Sequence, residues 1–155
     1  MDSFSFRKVS IVAFALACAP LVAAAQKSAP APPAAISASA ASFKPVTRVE
    51  DLPPVARPMA EPGADFNATD VIVDPNLPGR RLIVAGCSAT VCAIHYERGG
   101  IAHTFRILGL VRGANGWKIV WNVYGPKRLP DYAALRAVLE GRSNAVFWST
   151  TPDDY

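Results

Sequence analysis

The sequence predicts an α+β fold: a small antiparallel β-meander of about five strands, with one C-terminal helix packed on one face. Three observations predict it. Short apolar runs separated by turn formers recur from residue 71 to residue 124. One amphipathic helical pattern follows Pro130. Eight of the 14 prolines fall between residues 26 and 64, so that stretch reads as a spacer and not as domain.

The meander is read run by run. Val71-Ile72-Val73 is a first apolar run, and Asp74-Pro75-Asn76-Leu77-Pro78-Gly79 is dense in turn formers. Arg81 to Ala85, Val91 to Arg98, Ala102 to Arg112 and Trp117 to Tyr124 are the next four strands. The short connections favour antiparallel pairing, because a parallel crossover needs a dozen or more residues. Between the last two, Gly113-Ala114-Asn115-Gly116 is a hairpin loop with Asn and Gly where positive φ is wanted. Period-2 alternation puts Phe105, Ile107 and Val111 on one face, Trp117, Ile119, Trp121 and Val123 on one, and Cys92, Ile94 and Tyr96 on one.

For the helix, Pro130 suits a first helical position and Asp131 the positive end of the dipole. Tyr132, Leu135 and Leu139 share a face with Val138 beside them, and Gly141 is a natural stop. Ala145 to Trp148 reads as a last short strand, and Thr151 to Tyr155 as a polar tail. The expected core is the strand faces above with Leu135, Val138 and Leu139.

Ahead of the domain (65–155) the composition changes twice. Arg7-Lys8, an apolar stretch from Val9 to Leu21 and Ala23-Ala24-Ala25 form the three parts of a secretory signal peptide, with cleavage expected after Ala25. The apolar stretch is short of the roughly 20 residues a membrane span needs. Cys18 follows Ala15-Leu16-Ala17. A lipoprotein site would place the leucine one position earlier, so Cys18 reads as an ordinary leader residue, with lipidation as the alternative. Residues 26–64 read as a largely disordered Ala/Pro-rich linker of polyproline character. The stretch Phe43 to Val49 within it is able to add an edge strand.

The 155-residue chain is one domain's worth at most, which excludes a large multidomain enzyme. At 51% hydrophobic it is too apolar for a wholly disordered chain. Cleavage would leave Cys87 and Cys92, an even pair at facing strand ends; in an exported protein that pattern predicts a structural disulfide. Cys87, Cys92, His95 and His103 also read as C-x4-C-x2-H-x7-H, a zinc-like donor set. However, Cys92 and His95 are three apart on one strand and point to opposite faces, so no metal or other cofactor is expected.

The best polar candidates are His95 and Glu97, with His103. Alternation places His95 with Ala93 and Glu97 on the face taken to lie away from the core, where a carboxylate would orient an imidazole for acid–base work. Arg106, Lys118 and Asn122 are expected to share that face with His95 as a binding surface. Tyr124, Tyr132 and Trp148 are aromatic residues suited to stacking, with no position assigned by sequence. From Arg80 to Arg142 there are ten basic and three acidic side chains, a local net charge of +7 within an overall +4. A basic surface attracts anionic partners. No nucleic-acid module signature is present.

The expectation is therefore an exported, periplasmic or secreted, non-catalytic binding domain. Its partner would be a protein or an anionic envelope component, as for an inhibitor, an immunity-type protein or an accessory subunit. Nucleic acid is not expected, and membrane contact would come through a lipid on Cys18 or through the basic surface. The alternative is a small hydrolase or metal-assisted enzyme using His95 and Glu97.

Overall fold

The computed structural model describes residues 30–72, 74–151 and 155. The expected signal peptide and its cleavage site lie outside the described residues. Within them, α1 (Ala34–Ser39) is followed by strand β1 (Lys44–Val46), 3-10 turns at Val49–Asp51 and Pro54–Ala56, β2 (Arg80–Cys87), β3 (Val91–Arg98), β4 (Thr104–Gly113), β5 (Gly116–Gly125), α2 (Tyr132–Leu139) and β6 (Trp148–Ser149). The strands form one six-stranded sheet in sequence order, each antiparallel to its neighbours. The fold is mixed α+β, a meander of the expected kind. The expected first strand at Val71 differs: Val71 and Ile72 lie outside any strand and are exposed, and Val73 is outside the described residues.

The four long strands are joined by tight, locally satisfied turns. In the β2–β3 turn the Ser88 hydroxyl accepts from the N–H of Val91 at 3.0 Å, and the Ser88 N–H donates to the Val91 carbonyl at 2.7 Å. That turn sets Cys87 directly opposite Cys92, with Cα atoms 4.1 Å apart, and the two are joined as a disulfide. In the β4–β5 hairpin the positive φ is carried by Gly116 (92°), not by Asn115. Asp131, not Pro130, caps α2: its side chain accepts from the N–H of Ala134 at 2.8 Å, and Pro130 stands one residue before the cap. Gly141, with φ of 69°, ends the helix.

The sheet is buried on both faces, which corrects the expected one-sided core. One face carries Val84, Val91, Ala93, Ile107, Trp121 and Val123 beneath Leu135 and Leu139 of α2 and Ile36 of α1. The opposite face carries Leu82, Ala85, Ile94, Tyr96, Leu108 and Leu110 beneath Leu52, Ala56 and Met59. Two register shifts decide which residue faces where. Leu82 pairs Tyr96 while Val84 pairs His95, so Ile83 is extra; Gly109 pairs Trp121 while Leu110 pairs Ile119, so Val120 is extra. The second bulge breaks the expected Trp117–Val123 face in two. Trp121 and Val123 pack under the helices, whereas Trp117 and Ile119 pack on the other side.

The composition of residues 26–64 predicts a largely disordered linker; residues 34–60 instead cover the sheet. Ile36, Ala40, Phe43, Leu52, Ala56, Met59 and Ala60 are all buried, and β1 pairs β2 at the edge. The physical reason is that the few large apolar side chains in this Ala/Pro-rich stretch each find a slot. Burying one such side chain contributes about 1.5–3 kcal/mol, enough to offset the ordering of several residues. The packed unit therefore begins well before the expected boundary at residue 65.

Candidate functional site

Alternation alone puts His95 on a face turned away from the core. It is fully buried, on the helix-covered side of β3, where its register partner is Ile107. The N–H of Leu129 donates to Nε2 at 3.0 Å. A backbone N–H can only donate, so the ring proton sits on Nδ1, which donates to the Arg106 carbonyl at 2.9 Å. Both ring nitrogens are thus spent on backbone groups. Burial drives the pKa of His95 down from 6.5 to about 4, with the nearby Arg128 charge acting in the same direction. A neutral imidazole held this way ties β3 to the segment before α2 and has no nitrogen left for a substrate.

Glu97, two residues on, is also buried. Its carboxylate is held by the Arg81 guanidinium on one oxygen and by His103 Nε2 at 3.1 Å on the other. The structure therefore brings Glu97 to His103, while the hydrogen bonds of His95 go elsewhere. The Arg81 guanidinium lies 4.5 Å from the Phe66 ring centroid, and His103 lies 5.3 Å from Phe105. A carboxylate-oriented imidazole is what a general base needs. Here the same carboxylate also neutralises Arg81, and aromatic rings flank the imidazole. The cluster has the character of a clamp joining β2, β3 and the loop before β4.

The four residues expected to form one binding face are divided between two. Lys118 is exposed and pairs Val111, on the side of His95 and Ile107. Arg106 pairs Tyr96, and Asn122 pairs Leu108, on the opposite side. Tyr132 is structural: its hydroxyl donates to the Phe43 carbonyl at 3.0 Å.

That opposite side holds a row not visible from sequence. Register places Leu82, Tyr96, Arg106, Tyr124 and Trp148 directly beside one another on five consecutive strands. The Arg106 guanidinium lies 5.9 Å from the Tyr124 ring centroid, and the Tyr124 and Trp148 rings are 5.5 Å apart. Tyr124 and Trp148 are half-buried at the β5–β6 edge, whereas Tyr96 is fully buried. Burial pushes the Tyr96 phenol up to about 12, against the lowering influence of Arg106, Arg80 and Arg98 around it. Tyr155, expected in a polar tail, packs edge-on to Tyr96 at 5.9 Å, with the Arg80 guanidinium 4.1 Å from its ring centroid. Each residue of the row stands on a different strand, so only the register brings them together.

Comparison with known proteins gives no match to a family model, to a curated protein or to a solved structure.

Proposed function

We propose that the chain is an exported, non-catalytic binding domain that contacts a protein or another component of the cell envelope, as an inhibitor, an immunity-type protein or an accessory subunit does. The observation that carries this reading is the half-buried pair Tyr124 and Trp148 at the β5–β6 edge, their rings 5.5 Å apart, with the Arg106 guanidinium 5.9 Å from the Tyr124 ring centroid. Tyr, Trp and Arg are the side chains that supply most of the energy at protein interfaces, because each buries a large apolar area and still offers a polar group. Arg80 and Arg98 near Tyr96 add positive charge, which favours an acidic partner. Export is supported by the leader-like N-terminus and by the Cys87–Cys92 disulfide, since such bonds persist in oxidising compartments.

The test is capture from envelope extract by the full chain, beside a Tyr124→Ala/Trp148→Ala variant with an unchanged melting temperature. The reading requires a partner retained by the wild type and lost by the variant. Identical capture profiles would remove this face from the function.

A further inference from the structure

Between the two segments that tie α2 to the sheet, residues 126–129 and 144–147, lies a cavity of about 280 Å³. Its walls are mostly apolar. Leu129 and Phe147 are buried, and Pro126, Ala145 and Val146 are exposed at its margin. The polar side chains that line it are Lys127 and Asn144, both exposed. Among the described residues no carboxylate lines it.

The walls are fixed before any ligand arrives. The Leu129 N–H donates to Nε2 of buried His95 at 3.0 Å. Gly125 lets the opposite wall rest directly on β5: a Cβ there would lie 2.7 Å from the Val146 carbonyl oxygen and 2.9 Å from Phe147 Cδ1. The Ala145 N–H donates to Ser143 Oγ at 3.1 Å. A preorganised cavity gives up little freedom when it is filled. Because an apolar cavity of about 150 Å³ holds a benzene ring, this one has room for roughly ten to twelve heavy atoms.

The charge at the margin has one sign. Among the described residues no carboxylate pairs with Lys127 or with its neighbour Arg128, whereas Arg136 and Arg142 are both bonded to Glu140. An anionic head would meet an ammonium that no carboxylate neutralises, and the Asn144 amide offers a further N–H donor.

We propose that this cavity is a binding site for a small amphiphile, a monocarboxylate with an apolar body of about eight to ten carbon atoms, its chain between Leu129 and Phe147 and its carboxylate at Lys127. The site does not use the Tyr124 and Trp148 side chains, so it stands independently of the binding reading above.

The test is a titration of the isotope-labelled full chain with decanoate, followed through the backbone amide resonances. Leu129, Val146 and Phe147 should shift along one saturable curve with a Kd of about 1 mM or tighter. Leu82 and Leu108, on the opposite sheet face, should stay in place. Decylammonium, the same chain with the opposite charge, should bind about fivefold more weakly, and Lys127→Glu should weaken decanoate by about the same factor, because an exposed ion pair is worth little. Ala145→Trp changes an exposed wall position and should abolish binding by filling the cavity, with an unchanged melting temperature. Non-saturating shifts, shifts that spare Leu129 and Phe147, full affinity in Ala145→Trp, or equal binding of decanoate and decylammonium overturns the proposal. Should Ala145→Trp fail to fold, the wild-type titration and Lys127→Glu decide alone. N-acetyltryptophanamide binding as tightly as decanoate would assign the cavity to a partner's side chain and overturn the proposal. So would resonances that move with protein concentration and not with decanoate, which would assign it to a second copy.

Discussion

The backbone N–H of Leu129 donates to Nε2 of His95 across 34 residues of chain, in the interior of the protein. This bond exists only while His95 is neutral. In the folded state its pKa is about 4, against 6.5 for an unburied imidazole, because burial penalises the charged ring.

Between those two values the unfolded chain binds a proton that the folded chain does not. Stability from this group is therefore fully present above pH 6.5 and is lost as pH falls from about 6.5 to about 4. The loss amounts to about 3 kcal/mol, because each pH unit across that window is worth about 1.4 kcal/mol. Urea unfolding from pH 7 to pH 4 should show it, and His95→Asn should flatten the slope across that window. An equal slope in the variant would show that other groups carry the acid sensitivity.

Ile36 and Gly109 test whether the Ala/Pro-rich segment belongs to the domain. Ile36 is fully buried, and a Cβ placed on Gly109 would lie 2.0 Å from Ile36 Cδ1 and 3.1 Å from Trp121 Cβ. Ile36→Ala should cost about 2–5 kcal/mol in chemical unfolding. Gly109→Ala should also destabilise, by about 1–3 kcal/mol through overpacking. The double variant should cost less than the two together, because removing Ile36 makes room for the new methyl group. A spacer would give no loss for Ile36→Ala and no coupling.

Reduction of Cys87–Cys92 should lower stability by about 2 kcal/mol without changing the fold, as the bond closes a very short loop whose register already sets the two residues opposite each other. Far-ultraviolet circular dichroism with and without reductant gives both readings. Full reaction of both cysteines with a thiol probe in the native, unreduced protein would refute the bond.

The strands from Arg80 to Gly125, the disulfide and the helix from Tyr132 are legible because alternation, turn residues and a 3.6-residue stripe are local signals. Two classes of feature are not. Bulges at Ile83 and Val120 reverse side-chain faces, and their trace in sequence is an apolar triplet, Leu82-Ile83-Val84 and Ile119-Val120-Trp121, where alternation stops. A face assignment carried through such a triplet inverts beyond it, as happens for Trp117 and Ile119. His95 is misplaced by alternation for a related reason: the helix covers the Ala93–His95 face, and the segment around Leu52 and Met59 covers the other. That segment's packing is hidden because Ile36, Phe43, Leu52 and Met59 stand singly among alanine and proline, with no periodicity to expose them. The Glu97–His103 contact crosses a loop, and the Tyr96–Trp148 row crosses four strands; both depend on register.

The most direct test of the binding face is site-specific photo-crosslinking in cells producing the full-length chain. A benzoylphenylalanine at Tyr124, on the row, is compared with one at Asn115, at the exposed tip of the β4–β5 hairpin. A discrete adduct from position 124 and none from position 115 is the predicted result. No adduct from position 124, or the same ladder of products from both positions, would contradict the assignment of function to this face.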